Sequence, residues 1–533
     1  MSQPVTGPAG TTPTGPSRDA APAGAPGTSG TPAAVTTARD QQVDVRVNVV
    51  FGVLILGMLM SALGQMIFAT ALPTIVGDLG GVEHMSWVIT AFLLAQTISM
   101  PVAGKLGDMI GRKGLFVAGI LVFTIGSILG GAANGMAMLI IARALQGLAA
   151  GTMMVTSQAI TAEIIPARVR GKYMGFIGAV FGLCSVLGPI LGGWFTDGPG
   201  WRWGLWMNVP LAAIALLGTW RFLHLRKRET SHDFDYAGTA ALAVAASCLI
   251  LAVTWGGRMY EWTSPQVIGL IAVCVIATMA LVLIERKAAN PILPLALFVN
   301  RNFICTTVAG LLLGIGMFGL MAYMPTYLQM SHAMSPTAAG LMMAPMMAGM
   351  LLTSITIGWI ISRTGHYKWY PVTGMVIAAV MMLPLSRLSF DDPLWLVGLC
   401  LFGLGFGMGM AMQVLVLIVQ NSFPLRVVGT ATAGNNFFRQ IGGAVGSAIV
   451  GSVFLTELMN RLASAIGENF NPGMARSLTP DMLDTMEPQL REIVMTSYND
   501  AFTPVFLLMA PLFALAAVIL VGVREDALSE TVD

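Results

Sequence analysis

The sequence predicts an all-α membrane protein with fourteen transmembrane helices, arranged as two related six-helix bundles plus an inserted two-helix hairpin. Three observations predict it. Hydrophobic side chains make up 55% of the 533 residues and charged ones only 10%, well below the ~25% usual in soluble domains. Apolar runs of about 20 residues, long enough to cross a ~30 Å hydrocarbon layer as helix, recur fourteen times. The loops between them alternate in basic content. With the amino terminus inside, the inner loops hold Lys105, Arg112, Lys113, Arg168, Arg170, Lys172, Arg226, Lys227, Arg228, Arg286, Lys287, Arg301, Arg363, Lys368 and Arg426, and the short outer loops only Arg202, Arg258 and Arg387. Basic residues favour the cytoplasmic side, so both termini are expected in the cytoplasm. The same asymmetry checks the helix count, because one missed span would scramble every later loop.

In chain order, residues 1–45 are rich in Pro, Gly, Ala and Thr and read as a disordered cytoplasmic tail. Spans at 47–70, 85–107, 113–133, 136–160, 172–194 and 204–224 form the N-terminal bundle, residues 46–225. The connectors HLRKRETSHD and ERKAANPILP bracket spans at 236–256 and 264–284, the hairpin within 226–290. Spans at 302–323, 336–360, 369–387, 393–418, 430–455 and 501–523 form the C-terminal bundle, residues 291–524. It carries a polar extracellular loop, 456–500, in which Thr479 and Pro480 start a short amphipathic surface helix. Residues 525–533 form a second cytoplasmic tail. An internal repeat relates the halves: GKLGDMIGRK from Gly104 and GWIISRTGHYK from Gly358 each place glycines seven apart, followed by basic residues.

Several chemistries find no support. Cys184, Cys248, Cys274, Cys305 and Cys400 are dispersed within spans without paired spacing, so neither a disulfide framework nor a metal site is indicated. The run GLGFGMG (403–409) reads as helix-packing glycines, since no βαβ unit surrounds it. No nucleophile with a base and no phosphate loop stands out, so the expectation is no enzyme, no cofactor and no nucleic-acid partner.

The motifs GKLGDMIGRKG (104–114), IARALQGLAAG (141–151) and GPILGG (188–193), with WRWGLWMNVP (201–210), DYAG (235–238) and FFRQIGGAVG (437–446), resemble the major facilitator superfamily. Within it they are most similar to the fourteen-helix drug/proton antiporter branch, over about residues 47–525. The resemblance implies a major facilitator fold and a plasma-membrane multidrug efflux transporter. It would work by alternating access on an amphipathic small molecule, as a monomer among membrane lipids, with protons as the branch's coupling ion.

Each motif also has a physical reading. Asp108 can meet the positive end of a helix dipole in the opposite bundle while Arg112 pairs with it, a conformational latch shaped by Gly104 and Gly111 and flanked by Glu163 and Arg168. The repeat copy has Ser362 in place of Asp108, so the latch is asymmetric. The blander alternative is a tight, positive inner loop. In the helix 5 antiporter motif, Gly175, Gly188, Pro189, Gly192 and Gly193 are kept and Cys184 stands where the branch has glycine. Small residues there permit close approach and bending, or simply tight packing.

An ionisable residue deep in a spanning helix costs about 2.5 to 3.5 kcal/mol on insertion scales and so usually faces a cavity. Arg143 shares a face with Gln146, and Arg439 lies with Asn435, Asn436 and Gln440. With Gln65 and Met66 of helix 1, these are the expected cavity residues. For Arg143 the alternative is a bridge to backbone carbonyls, and for Arg439 snorkelling toward the interface. Helix 1 departs from the branch: Leu63, Ile67, Ala71, Leu72 and Pro73 are kept, but Gly64 occupies the position of the usual Asp. No acid falls in the middle third of any predicted span. The expected activity is therefore drug or toxic-compound efflux, with an anionic, zwitterionic or neutral amphiphile favoured over a multivalent cation and proton coupling left open. The nearest alternative is export of an endogenous anionic or lipid-like metabolite; from another class, a non-transporting scaffold or receptor.

Overall fold

Lipid offers no hydrogen bonds, so long runs of Leu, Ile, Val, Ala and Met satisfy their backbone internally as helices. The structure, a computed structural model, describes residues 38–80, 84–225, 233–257, 259–466, 480–483 and 486–530. Its main helices are α1 (Ala38–Leu79), α2 (Met85–Ile110), α3 (Arg112–Gly131), α4 (Met136–Ile164), α5 (Ala167–Asp197), α6 (Trp203–Phe222), α7 (Tyr236–Trp255), α8 (Pro265–Glu285), α9 (Arg301–Ser331), α10 (Thr337–Thr364), α11 (Trp369–Leu385), α12 (Leu394–Asn421), α13 (Val428–Ile466) and α14 (Pro488–Val521). Thirteen are long and apolar enough to cross a membrane, and α11 is a shorter apolar helix. Each corresponds to one expected span, and no strand occurs among the described residues.

Helix starts follow local chemistry. Asp235, Ser264, Asn300 and Ser335 each accept a hydrogen bond from the backbone N–H three residues on, capping α7, α8, α9 and the first turn leading into α10. Two boundaries differ from expectation. Residues 38–45 are helical rather than tail, since ARDQQVDV holds neither Gly nor Pro to break α1. α13 runs on to Ile466 and α14 begins at Pro488, so both ends of the expected loop 456–500 are helical. Arg461 explains the continuation. It pairs with Glu457 one turn back at 2.8 Å and with Asp500 of α14 at 2.9 Å, so polar residues extend both helices beyond the apolar stretch. Pro480–Leu483 forms one short turn of helix where a surface helix was expected, while its proposed cap, Thr479, and the amino-terminal stretch 1–37 lie outside the described residues.

The packing defines two seams. α2, α3 and α4 pack together, as do α9 with α13 and α14, α10 with α12, and α11 with α12 and α14. Between these groups, α2 lies against α13, and α5 lies against α10 and α12. α7 touches both α2 and α13, with Trp87 and Trp255 edge to face at 5.8 Å. Its Leu242 and Ala246 join Leu281 of α8 and Phe437 of α13 in one apolar cluster. Only 17% of the apolar window of α8 is buried, so this helix turns most of its surface outward.

Candidate functional site

The last turn of α2 carries Asp108, and Gly111 then reverses the chain into α3 with φ +102°, a conformation that favours glycine. This turn puts Arg112, 2% exposed, beneath the end of α2. Its guanidinium donates to Asp108 Oδ1 at 2.7 Å, to Glu163 Oε2 of α4 at 2.8 Å, to the Ala159 carbonyl at 2.9 Å and to the Leu425 carbonyl at 2.7 Å. Asp108 Oδ2 accepts from the Thr430 backbone N–H at 2.7 Å and its hydroxyl at 2.9 Å. Thr430 lies in the first turn of α13, where unpaired N–H groups and the helix dipole favour an anion. Gly104 permits the approach, because a Cβ there would come within 2.8 Å of the Gly429 carbonyl oxygen. The cluster therefore joins α2, α3, α4 and α13. Arg168 stands apart from it, at the start of α5, where it pairs with Glu530.

Arg143 of α4 is 1% exposed and takes no carboxylate partner among the described residues. It donates to the Gly64 carbonyl at 2.9 Å, Gln146 Oε1 at 3.0 Å and the Val88 carbonyl at 3.3 Å. Its charge also lies between the rings of Phe68 and Phe92, 4.1 and 4.2 Å from their centroids. Gln146 in turn donates to Ser127 Oγ at 2.8 Å. This guanidinium thus bridges α4 to α1 and α2 through oxygen and aromatic faces, the arrangement of the helix-bridging alternative. The backbone of Gly64, where the branch carries Asp, supplies one acceptor.

Arg439 differs. It is 3% exposed on α13, and its Nη2 donates to Asn436 Oδ1 at 2.6 Å while Nη1 has no partner. Asn436 donates to Gln158 Oε1 of α4 at 2.6 Å, and Gln420 of α12 donates to the Gln158 carbonyl at 3.2 Å. Asn435, beside them, donates to Thr307 Oγ1 of α9 at 3.5 Å. Several buried polar atoms here are unpaired, Gln158 Nε2, Gln420 Oε1 and Asn435 Oδ1, as are both amide atoms of Gln413, which lies apart against α5 and α10. Sequence reasoning missed the three glutamines. Their signal was amide side chains in otherwise apolar helices, with Gln413 and Gln420 seven apart on one face of α12. The expected cavity residues therefore fall into two clusters, Arg143 with Gln146 and Arg439 with Asn435 and Asn436. Gln65, Met66 and Gln440 are half-buried.

Residues 54–447 match the profile of the Major Facilitator Superfamily. The chain belongs to that family. It is 38% identical over 489 residues to an uncharacterized MFS-type transporter of Mycobacterium tuberculosis, covering 92% of this chain and 71% of the relative. It is also 38% identical over 413 residues to the multidrug transporter protein MdtP of Bacillus subtilis, covering 78% and 76%. Among solved structures, the human organic anion transporter MFSD10 aligns with a TM-score of 0.57 at 17% identity, covering 88% of this chain and 99% of that one; this likeness is of fold. The chain is thus a multi-pass membrane transporter of the superfamily rather than an enzyme.

In this superfamily member the α5 motif residues meet two different partners. A Cβ on Gly175 would press on the Ser354 carbonyl of α10, and one on Gly188 on the Met66 side chain of α1. Cys184 is fully buried, Gly192 is buried, and Gly193 faces open space. Side-chain contacts of Pro189 lie outside the described residues. At the opposite end of the helices from Asp108, α13 and α14 line an open cleft of about 830 Å³, whose lining includes Glu457, Arg461, Glu492 and Asp500. Asn499 beside it accepts from the Tyr327 hydroxyl at 3.0 Å and donates to the Leu388 carbonyl at 2.8 Å.

Proposed function

We propose that this transporter exports amphipathic small molecules from the cytoplasm across the plasma membrane by alternating access. The α1–α6 and α9–α14 groups rock about a site in which Arg439 receives the polar, anionic or carbonyl group of the substrate. One observation carries this reading: Arg439 is buried at the seam with a guanidinium nitrogen unpaired and no carboxylate partner among the described residues. A buried cation without a counter-charge is costly, so a ligand that supplies one binds favourably. Arg143 is already surrounded by acceptors and rings, which supports a structural role for it. In this reading the Asp108 cluster closes the cytoplasmic end, the side the basic loops favour. The name of one relative, a multidrug transporter, supports export.

Gly64 in place of Asp leaves helix 1 without the carboxylate that proton-coupled cation export uses. An anion leaving a cell with a negative interior gains about 2.3 kcal/mol per charge per 100 mV, enough to drive export without protons. An endogenous anionic or lipid-like metabolite fits the same site, and substrate panels separate it from drugs. The test is flux in proteoliposomes with matched anionic, neutral and cationic amphiphiles, with and without a pH gradient. The anion is transported with little dependence on the gradient, and Arg439→Gln lowers its flux about tenfold, the loss of one charged hydrogen bond. Cation flux driven by the gradient contradicts the reading, and no flux for any compound leaves the scaffold alternative standing.

A further inference from the structure

The two seams are related by sequence as well as by packing. Pro166-Ala-Arg-Val-Arg-Gly171 opens α5 and Pro424-Leu-Arg-Val-Val-Gly429 opens α13, the same Pro-x-Arg-Val-x-Gly pattern. Each final glycine meets the glycine of a loop motif: Gly104 faces Gly429, and Gly358 faces Gly171. The α2–α13 seam is tied by Asp108, which accepts from Thr430, the residue after Gly429. The α5–α10 seam has no such acid on its loop motif. Ser362 stands in the Asp108 position and its hydroxyl donates to the Trp359 carbonyl of its own helix at 2.7 Å.

The chain beyond α14 fills this gap. Arg524 N–H donates to Asn302 Oδ1 at 2.8 Å, and Asn302 donates back to the Arg524 carbonyl at 3.0 Å, which starts the segment across the base of α9. Glu525 Oε1 then accepts from the Tyr367 and Lys368 N–H groups at 2.6 and 3.2 Å, in the loop that follows α10. Asp526 N–H donates to the Tyr367 hydroxyl at 2.8 Å, and that hydroxyl donates to the Asp526 carbonyl at 3.1 Å. Leu528 is buried. The Ser529 carbonyl accepts from the Arg168 backbone N–H at 3.0 Å, and the Glu530 carboxylate pairs with the Arg168 guanidinium. The segment thus ends on the first turn of α5, having begun on α9. Its acids meet the loop motif on one side and the Pro-x-Arg-Val-x-Gly helix start on the other, the two elements that Asp108 joins at the first seam.

We propose that residues 525–530 are a strap that closes the α5–α10 seam, supplying from the C-terminal segment the carboxylates that Ser362 does not. The molecule then has two closures at this end. One is built into a loop motif; the other is carried by a segment that detaches without unfolding any helix. Opening requires both to release, and anything that competes for Glu525 or Glu530 favours the open form.

The experiment measures distances in the full chain in nanodiscs, with spin labels at exposed Lys172 of α5 and exposed Trp369 of α11 in a background lacking the five native cysteines. The parent gives predominantly the shorter distance. Glu525→Gln with Glu530→Gln raises the longer-distance population about fivefold, as loss of two partly exposed charged contacts implies. Adding Ser362→Asp, which places the acid where the first seam has it, returns the distribution toward the parent. Arg168→Gln removes the Glu530 contact from the α5 side and shows a rise of the same sign, so the test survives poor folding of the double variant. A double variant with the parent's distribution overturns the proposal. So does a longer-distance population that Ser362→Asp leaves unchanged, since the segment would then only pack against α9.

Discussion

Two buried arginines of similar sequence appearance have opposite surroundings, and the difference lies in what each guanidinium meets. Arg143 meets two backbone carbonyls, one amide and two aromatic faces, whereas Arg439 meets one amide and keeps a nitrogen unpaired. Removing Arg143 takes a second donor from the Gly64 and Val88 carbonyls, leaves Gln146 Oε1 without its donor and empties the space between Phe68 and Phe92. Arg143→Ala is expected to destabilise the protein by about 3 kcal/mol or more, and Arg143→Lys to recover little because an ammonium lacks the planar fork. Arg439→Gln is expected to cost under about 1 kcal/mol, since the amide replaces its one bond to Asn436. Thermal midpoints in nanodiscs check both. The sequence marked both arginines because a charge in an apolar helix is conspicuous. It did not separate them, because two of the acceptors around Arg143 are main-chain carbonyls, which carry no sequence signal, and the one partner of Arg439, Asn436, is itself bonded to Gln158 of a distant helix.

At the scale of elements, legibility followed periodicity. All the spans could be read from apolar runs, and the Asp108 motif could be read because its acid, turn glycine and basic residues are contiguous. The ends of α13 and α14 could not, because their extension depends on the Arg461 pairs with Glu457 and Asp500, one of them between helices. The segment after α14 was likewise expected only as a cytoplasmic tail, since its partners, Asn302, Tyr367 and Arg168, are scattered through the chain. Its acid Glu525 makes a pH prediction. Burial opposes ionisation of this carboxyl, but the N–H groups of Tyr367 and Lys368 and the ring of His366, 3.5 Å away, outweigh it and hold the group below the usual carboxylate range. A depressed acid contributes stability above its unfolded value of about 4.3, and loses it as pH falls through the folded value. The difference in thermal midpoint between the parent and Glu525→Gln is therefore expected to shrink as pH falls below about 4. A difference that grows below about pH 4 contradicts it.

For the whole molecule, the superfamily's fold supplies the scaffold, and this chain's departures supply its character. Helix 1 lacks its acid, the second loop motif lacks its acid, and a buried arginine at the seam keeps one guanidinium nitrogen unpaired. In the proposed function the first and third together favour substrates that bring negative charge or a carbonyl with them, and in the proposed strap the C-terminal segment offsets the second. The decisive experiment is thermal stabilisation in nanodiscs by matched anionic, neutral and cationic amphiphiles, for the parent and Arg439→Gln, at two pH values. Stabilisation of the parent by the anion is expected, nearly the same at both pH values and lost in Arg439→Gln. Stabilisation by the cation that strengthens as pH rises and survives in Arg439→Gln would contradict it, because that pattern requires a titrating acid elsewhere in the binding site.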